Sequence, residues 1–364
     1  MINLRKTCKA SVADTLCLTR VGAKLRHILE HKIALAILMF EKVEKRPVDG
    51  GSNPSSPTFI YKIQYSNKMS DINIRGSIPA LVTPFSRDLS VDEEGLRRNV
   101  EFQIENGSSG LVTVGTTGES PTVTPGEHKR ITEIAADQAN GRVPVIAGTG
   151  SNSTDEAIEY TKHAEDCGAD ASLQVSPYYN KPTQEGLYRH FKAIADAVDI
   201  PVILYNIQGR TAVNIEPETM LRLSKIDNIV GVKEASGSID QVSKILMLTC
   251  DEDFVLLSGD DSMTLPMMAL GGVGVISVVA NIVPSQTAEL VKLCEEGNFE
   301  DARKIHYKLL PLIHAMFIET NPAPVKFAMN ELGMAAGELR LPLVFPGEGN
   351  KEKIRQVMRD TGLL

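Results

Sequence analysis

The sequence predicts a closed barrel of eight parallel β-strands alternating with helices, the (β/α)8 class, followed by a helical appendage at the C-terminus. Three observations predict it. Eight short apolar runs recur from residue 77 onward, most of them separated by amphipathic helical stretches. The runs are almost continuously apolar, as is typical of strands buried on both faces. An open, doubly wound sheet usually has fewer strands, so eight repeats favour closure.

The predicted strands are Ser77–Phe85, Gly110–Gly115, Val143–Gly148, Ala171–Tyr178, Pro201–Asn206, Ile229–Ala235, Phe254–Gly259 and Gly274–Ala280. The helices predicted between them include Val91–Asn106, Pro125–Asn140, Thr154–Cys167 and Pro217–Lys225. Two of these helices have proline at their first position, which is a common start signal. We therefore assign residues 75–296 to the barrel.

No strand-like run follows residue 296. The predicted helices there are Phe299–Glu319, Pro322–Leu332 and Asn350–Thr361. Residues 297–364 are thus expected to form a helical region that packs on the barrel or makes an oligomer contact.

Residues 1–74 differ from the rest and are predicted to be an extension that is disordered or non-native. Residues 1–46 carry a net charge of +6, whereas the remainder carries −14. Residues 47–58 are rich in Pro, Gly and Ser, as linkers are. Two interpretations stay open: read-through from upstream sequence, with Met69 as the natural start, or a basic targeting peptide. The apolar run Ile33–Phe40 is far shorter than the roughly 20 residues of a membrane span.

The composition is that of an ordinary soluble globular protein, with 42% hydrophobic and 23% charged residues among 364. The net charge of −8 argues against nucleic-acid binding, which usually requires a basic face. The five cysteines are odd in number, and no pair has metal-ligand spacing. The sequence therefore predicts a reduced, cytoplasmic compartment and no metal site.

Lys233 is the most informative residue, because it lies in a strand otherwise made of Ile229, Val230, Gly231 and Val232. A lysine is rarely buried in such a strand unless it is paired or functional. Burial lowers the pKa of the ammonium, and a neutral amine can attack a ketone to form an imine. The alternative is a structural lysine paired with a neighbouring acid such as Glu234, and Lys233 by itself does not decide between the two interpretations.

Other polar residues end neighbouring strands, where barrel active sites are built. Tyr205 precedes Lys233 by one strand and could move protons, although a core tyrosine is the commoner case. Thr116 and Thr117 occupy a glycine-flanked turn that suits a carboxylate, or that is an ordinary βα turn. Arg210 could hold a second carboxylate, or be a surface arginine. Their occurrence on one rim favours the functional interpretation.

These residues fall within motifs that resemble the dihydrodipicolinate synthase / N-acetylneuraminate lyase family from about Gly76 to Leu364. The matching stretches are GTTGES (115–120), RVPVIAGTGSNST (142–154), SPYYNKPTQEGLY (176–188), PVILYN (201–206), GRT (209–211), IVGVKEASG (229–237), LLSGDD (256–261) and NPAPVK (321–326). Together they are highly specific for the family.

The resemblance implies a class I, Schiff-base aldolase mechanism in which Lys233 forms the imine with pyruvate. It also implies a proton relay of Tyr205, Thr116 and Tyr179, with Tyr179 contributed across a subunit interface. The Thr117 amide would hold the carboxylate of pyruvate, and Arg210 that of L-aspartate 4-semialdehyde. Gly259 and Ile276 would line the pyruvate pocket through their backbones. The implied assembly is a homotetramer, the implied pathway is lysine and diaminopimelate biosynthesis, and the chemistry needs no cofactor.

Two features depart from the family pattern. Ile207-Gln208 replaces the usual Val-Pro before Arg210, and the loss of proline should loosen that loop. The residues Ser120, His128, Asn152, Glu156 and Tyr178 match a lysine-effector site, whereas Pro121 and Pro125 replace residues that some inhibited members use. The sequence leaves lysine feedback open.

The nearest alternative is a sister aldolase, such as N-acetylneuraminate lyase or a 2-keto-3-deoxy-sugar-acid aldolase. Arg210 together with Tyr179 argues against it, because a sugar-acid lyase needs no guanidinium in that loop. A catalytically inactive barrel that serves as a regulator would be expected to lack the lysine or the relay residues, and all of them are present.

Overall fold

The computed structural model describes residues 74–364 and contains the eight predicted strands. They are β1 (Gly76–Pro79), β2 (Leu111–Thr113), β3 (Val145–Gly148), β4 (Ala171–Val175), β5 (Val202–Asn206), β6 (Ile229–Glu234), β7 (Val255–Ser258) and β8 (Gly274–Ser277). Apart from Ile74, the predicted extension lies outside the described residues.

The strands form one parallel sheet in the order β1-β8-β7-β6-β5-β4-β3-β2. The two end strands meet and close it, because the Leu81 amide donates to the Val112 carbonyl at 2.9 Å and the Ser109 amide to Ser77 at 2.8 Å. The predicted (β/α)8 barrel is therefore confirmed.

Several strands are shorter than predicted, for local backbone reasons. β2 ends at Thr113 because Val114 adopts a left-handed φ of 49°, which breaks the extended conformation. β4 ends at Val175, and the chain beyond it turns at Tyr179, whose φ is 70°. The polar residues predicted to end strands thus lie in turns above the barrel.

The helices of the barrel are α1 (Glu93–Glu105), α2 (Pro125–Ala139), α3 (Thr154–Asp166), α4 (Gln184–Ala195), α5 (Gln208–Thr211), α6 (Pro217–Leu223), α7 (Ile239–Leu248), α8 (Thr264–Ala269) and, after β8, α9 (Pro284–Glu295). The proline start signals of α2 and α6 are confirmed. Thr124 and Glu127 form a capping box at the start of α2. The first helix begins later than predicted, because the Asp92 side chain caps it by accepting from the Gly95 amide.

Alternation along the strands divides the core into two layers. On β5, Ile203 and Tyr205 pack inside the barrel, whereas Val202 and Leu204 pack outward against α4 and α6. Burial of both faces explains why the strands are almost continuously apolar.

Three helices follow the barrel: α10 (Phe299–Ala315), α11 (Ala323–Glu331) and α12 (Glu348–Asp360). They lie within the predicted helical region, and their apolar faces form one buried cluster with Val82 and with Val278 to Val283 beside β8. The C-terminal region therefore packs on the barrel, next to where β1 meets β8. No helix within residues 74–364 is long and apolar enough to cross a membrane.

Candidate active site

Lys233 points into the barrel, as the alternation along β6 requires. Its neighbour Val232 belongs to the outer layer, so Lys233 belongs to the inner one. Its register partners are Tyr205 on β5 and Leu257 on β7, and both pack in the inner cluster. Only 6% of the Lys233 surface is exposed.

Glu234 does not pair with Lys233, since it lies on the opposite face of β6. Its carboxylate accepts hydrogen bonds from the Asn206 side chain at 3.0 Å, the Ser236 amide at 2.7 Å and the Gln241 side chain at 3.3 Å. The structural alternative for Lys233, a salt bridge to its sequence neighbour, is therefore wrong.

The pKa of Lys233 is lowered from 10.5 to about 7, mainly because burial penalises the charged form. The positive charge of Arg210 lowers it further, whereas the negative charge of Asp261 opposes the shift. A substantial fraction of the amine is thus uncharged near neutral pH, as nucleophilic attack on a carbonyl requires.

Asp261 is a buried carboxylate beyond β7 to which the sequence analysis gave no role. It accepts from the Ser277 hydroxyl at 2.5 Å and from the amides of Val278 and Val279 at 2.9 and 3.2 Å. Burial raises the pKa of Asp261, and these hydrogen bonds oppose that shift. A charged residue directly after an apolar strand was the signal that could have found it.

Tyr205 lies beside Lys233, with the Lys233 Nζ 4.2 Å from the centre of the phenol ring. Burial raises the pKa of Tyr205 to about 12, although the charge of Arg210 and a hydrogen bond with the Thr116 side chain act in the opposite direction. The phenol is therefore protonated at neutral pH and can donate a proton to a group formed next to it.

The turn after β2 carries Thr116 and Thr117. Among residues 74–364, neither of their backbone amides donates to a carbonyl of the chain. The Thr117 side chain is buried, and its hydroxyl accepts from Asn321 Nδ2 at 3.0 Å. Such unpaired amides in a tight turn form a suitable anion-binding site.

Arg210 is exposed at the rim and lies in the short helix α5. Its Nη2 lies 3.4 Å from the Asn321 carbonyl oxygen, so Asn321 contacts both Thr117 and Arg210. The replacement of proline by Gln208 leaves this segment ordered as a helical turn, since Arg210 and Thr211 both donate from their amides to the Ile207 carbonyl at 3.0 Å.

Gly259 follows β7 and lies directly against Lys233. A Cβ atom at position 259 would come within 2.8 Å of the Ala235 Cβ and 3.0 Å of the Lys233 Cγ, so a side chain there would displace the lysine. Ile276 on β8 is buried in the inner cluster with Tyr205. Pairing between β7 and β8 stops at Ser258 and Val275, which immediately precede Gly259 and Ile276.

A cavity of about 240 Å³ opens above the strand ends, with Thr116, Tyr205 and Arg210 in its wall. Apolar residues such as Leu173 and Ile207 complete much of the lining. The cavity is therefore a small, largely apolar pocket with a few polar groups, as substrate pockets commonly are.

Tyr179 is the predicted site residue that stands apart from the others in this chain. It is 90% exposed, and it adopts a left-handed φ of 70° in the turn that follows β4.

The residues that match an effector site are brought together beside the cavity. Ser120 and Tyr178 line it, and a hydrogen bond from the Ser151 hydroxyl holds Glu156 close to Tyr178. His128 is buried, bonds through Nε2 to the Gly148 carbonyl at 2.9 Å and stacks on Tyr160, a residue absent from the prediction.

Asn152 is linked to Tyr178 through Asn180. The Asn180 side chain donates to the Asn152 carbonyl at 2.8 Å, and the Asn180 amide donates to the Tyr178 carbonyl at 2.8 Å. Burial lowers the pKa of His128 to about 4, so its imidazole is neutral at physiological pH.

The segment 321–326 contributes to the family resemblance, but the sequence predicts no role for its individual residues. In the structure, Asn321 reaches Thr117, and Lys326 reaches Glu119 in the same turn at 2.7 Å. These contacts join positions more than 200 residues apart, so no local pattern could have predicted them.

The chain is similar to known proteins over nearly all of its described part. Residues 73–361 match the profile of the dihydrodipicolinate synthetase family. The chain is 55% identical over 284 residues to a 4-hydroxy-tetrahydrodipicolinate synthase of Methanothrix thermoacetophila, a match that covers 78% of this chain and 96% of the relative.

Two solved structures have a similar fold. The crystal structure of dihydrodipicolinate synthase from Aquifex aeolicus is 51% identical with a TM-score of 0.78, covering 79% of this chain and 98% of that one. The enzyme from Cyanidioschyzon merolae, crystallised with lysine bound, is 42% identical with a TM-score of 0.77, covering 80% and 99%.

Proposed function

Because the chain belongs to the dihydrodipicolinate synthetase family, we propose that Lys233 forms the imine on which its reaction depends. The chain is a lyase with the activity of a 4-hydroxy-tetrahydrodipicolinate synthase, which joins pyruvate to L-aspartate 4-semialdehyde. The observation that carries the proposal is a buried amine with a pKa of about 7, inside the barrel and next to a phenol.

In the first step, the neutral Lys233 amine attacks the ketone carbon of pyruvate, and loss of water gives the imine. Tyr205 supplies the proton that the departing hydroxyl needs. Removal of a proton from the pyruvate methyl group then gives an enamine, whose terminal carbon attacks the aldehyde of the second substrate. The amino group of that substrate displaces Lys233 from the imine carbon, which closes the ring and restores the free amine.

Tyr205, Thr116 and Tyr179 form the proton relay in this proposal. The hydrogen bond between Thr116 and Tyr205 supports the first link. The exposure of Tyr179 supports the second, because a side chain that is 90% exposed in its own chain is available to the site of a neighbouring subunit.

Thr117 binds the carboxylate of pyruvate through its amide, which makes no backbone hydrogen bond within the described residues. Arg210 binds the carboxylate of the semialdehyde, for which a guanidinium offers paired donors. Gly259 and Ile276 line the floor beside the imine through their backbones, beyond the point at which β7 and β8 stop pairing.

A trapping experiment tests this assignment. Borohydride reduction in the presence of pyruvate should attach one three-carbon group to Lys233, located by mass spectrometry of the digested protein, and Lys233→Met should remain unlabelled. Turnover of pyruvate with aspartate semialdehyde, compared with cleavage of N-acetylneuraminate, then tests the substrate. A label on another lysine, or turnover of the sugar acid alone, would contradict the proposal.

We also propose that Ser120, His128, Asn152, Glu156 and Tyr178 bind lysine as an effector. The Glu156 carboxylate suits an ammonium group, and a structural relative was crystallised with lysine bound. Lysine should raise the thermal midpoint of the parent protein but not that of Glu156→Gln. An equal rise in both proteins would remove Glu156 from the site.

We further propose a homotetramer that acts in the cytoplasm, in lysine and diaminopimelate biosynthesis. Cys167, Cys250 and Cys294 are free thiols, which agrees with a reducing compartment. Sedimentation of the purified chain tests the assembly.

A further inference from the structure

The turn that carries Thr116 and Thr117 has an unfavourable backbone at both ends. Val114 and Glu119 adopt left-handed φ values of 49° and 55°, which residues with a side chain seldom do. Gly118 packs tightly within the turn, since a Cβ there would lie 3.1 Å from the Val114 Cα. A conformation of this kind persists only where its surroundings hold it.

The Glu119 side chain stabilises this conformation of the turn. It points into the protein and forms an ion pair with Lys326, with 2.7 Å between Oε1 and Nζ and 0% exposure of either side chain. The other carboxylate oxygen accepts from the Arg340 amide at 3.1 Å. Every polar atom of this carboxylate is therefore engaged by the C-terminal region.

The Lys326 ammonium also has all of its hydrogen-bond donors in use. It also donates to the Thr83 carbonyl at 3.0 Å and to the Glu338 carbonyl at 2.5 Å, so all three of its protons have acceptors. Thr83 in turn donates from its hydroxyl to the Gly118 carbonyl at 2.7 Å. One lysine thus ties the turn to the segment after β1 and to the segment after α11.

An ion pair this deeply buried is a poor source of net stability, because desolvation of the two charges offsets their attraction. The ion pair therefore contributes more by fixing the geometry of the turn than by lowering the free energy of the folded state. Asn321, five residues before Lys326, adds a hydrogen bond to the Thr117 hydroxyl from the same segment. The C-terminal region therefore contacts the turn at Thr117 and at Glu119.

We propose that Glu119 and Lys326 are positioning residues, which hold the Gly115–Glu119 turn in the shape that binds the carboxylate of pyruvate. Neither residue touches the substrate. The inference rests on the proposed function, since it assigns a cause to the shape of the proposed carboxylate site. It makes the C-terminal helices necessary for substrate selection, although they supply no group to the chemistry.

Selectivity for a carboxylate distinguishes this role from a merely structural one. Methyl pyruvate has the same reactive ketone as pyruvate but no negative charge. The rate of borohydride trapping at Lys233 is measured for both, and the ratio of the two rates reports the carboxylate site alone. In the parent protein, pyruvate should be trapped much faster.

Glu119→Gln keeps the size of the side chain but replaces a buried carboxylate that has two partners, Lys326 and the Arg340 amide. We expect its pyruvate trapping to fall by about 10- to 100-fold, as displacement of a binding group by about 1 Å does, with little change for methyl pyruvate. Lys326→Met should lower the ratio in the same way. Glu331→Gln is the matched control, because it breaks the ion pair of Glu331 with Arg355 between α11 and α12, away from the turn.

An unchanged ratio in a folded Glu119→Gln protein would overturn the inference, as would an equal loss for both ketones or a matching loss in Glu331→Gln. If Lys326→Met does not fold, the result for Glu119→Gln decides. Absence of trapping in the parent protein is a different outcome, because it refutes the proposed function itself.

Discussion

The proposed activity of this barrel depends on a single buried amine. Lys233 is surrounded by apolar side chains, and the nearest carboxylate in its strand faces the other way. The only negative charge that stabilises its ammonium form among the described residues is that of Asp261, which is itself occupied by three hydrogen bonds. The protein thereby keeps the lysine close to its titration point at neutral pH.

The first prediction concerns the pH dependence of trapping. The neutral amine is the nucleophile, so the rate of pyruvate trapping at Lys233 should rise with pH through about 7 and level off above it. Quenched samples across pH 5.5 to 9 would give the midpoint. A rate that still rises about tenfold per pH unit at pH 9 would show that burial does not lower this pKa from 10.5.

The same shift predicts a stability cost. The pKa of Lys233 is lower in the folded chain than in the unfolded one, so folding is penalised fully below about pH 7, and the penalty disappears as the pH approaches 10.5. Lys233→Met should therefore be more stable than the parent, with a difference in thermal midpoint that is larger at pH 6 than at pH 9. A difference in thermal midpoint that is the same at pH 6 and pH 9 would show that the lowered pKa of Lys233 does not cause it.

Arg210 provides a further test at this scale. Arg210→Ala should cost about 2–5 kcal/mol in kcat/KM for the semialdehyde, because a charged partner of its carboxylate is lost. Trapping of pyruvate should persist, with its pH midpoint shifted upward, since the Arg210 charge lowers the pKa of Lys233. Arg222→Ala, which removes a surface cation that lies over Tyr188, is the control. Weakened trapping with normal use of the semialdehyde would contradict the role.

The sequence was sufficient to find Lys233, because a charge in an apolar strand is visible locally. It did not show which way Glu234 faces, since that requires knowing which residues of β6 point inward. The role of Lys326 could not be predicted from the sequence, for another reason. It lies in a predicted helix, and its partner Glu119 is 207 positions away. Local pattern thus identified the buried amine and missed the residues that hold the neighbouring turn.

At the scale of elements, the strands were predictable and their ends were not. Hydrophobic runs located all eight strands, but the residues that end them depend on single backbone angles, such as the left-handed φ of Val114. The helix α5 was also missed. A loosened loop was expected there, whereas its amides bond to Ile207 and Gln208 and order the segment as one helical turn.

This turn can be tested with proline. Gln208 is the first residue of α5, its amide donates to no carbonyl within residues 74–364, and Ile207 before it has a non-helical φ of −146°. Gln208→Pro should therefore raise the free energy of unfolding by about 0.4–1 kcal/mol, by restricting the unfolded chain. Chemical denaturation measures this, with Gln208→Ala as the control for loss of the side chain. Destabilisation would show that the amide or the backbone angle at 208 is needed.

At the scale of the whole molecule, the exposure of Tyr179 predicts shared sites. Lys233→Met and Tyr179→Phe should each be nearly inactive alone. After dissociation and reassembly, a mixture should recover up to roughly a quarter of the parent activity, because half of random dimers are mixed and each has one intact site. Activity assays before and after mixing measure the gain. No recovery, despite mixed assemblies shown by mass spectrometry, would place Tyr179 outside the shared site.

The contacts that stabilise the Gly115–Glu119 turn also determine when, during its synthesis, the polypeptide becomes able to bind pyruvate. Translation finishes all eight strands, with Lys233 in place, before it reaches position 326 and the Arg340 amide that complete the cradle of Glu119. A ribosome-bound chain of 300 residues would thus contain a reactive amine but no finished carboxylate pocket. A stop codon placed after β8 and before position 326 should therefore abolish recognition of pyruvate, although every strand of the barrel has been made.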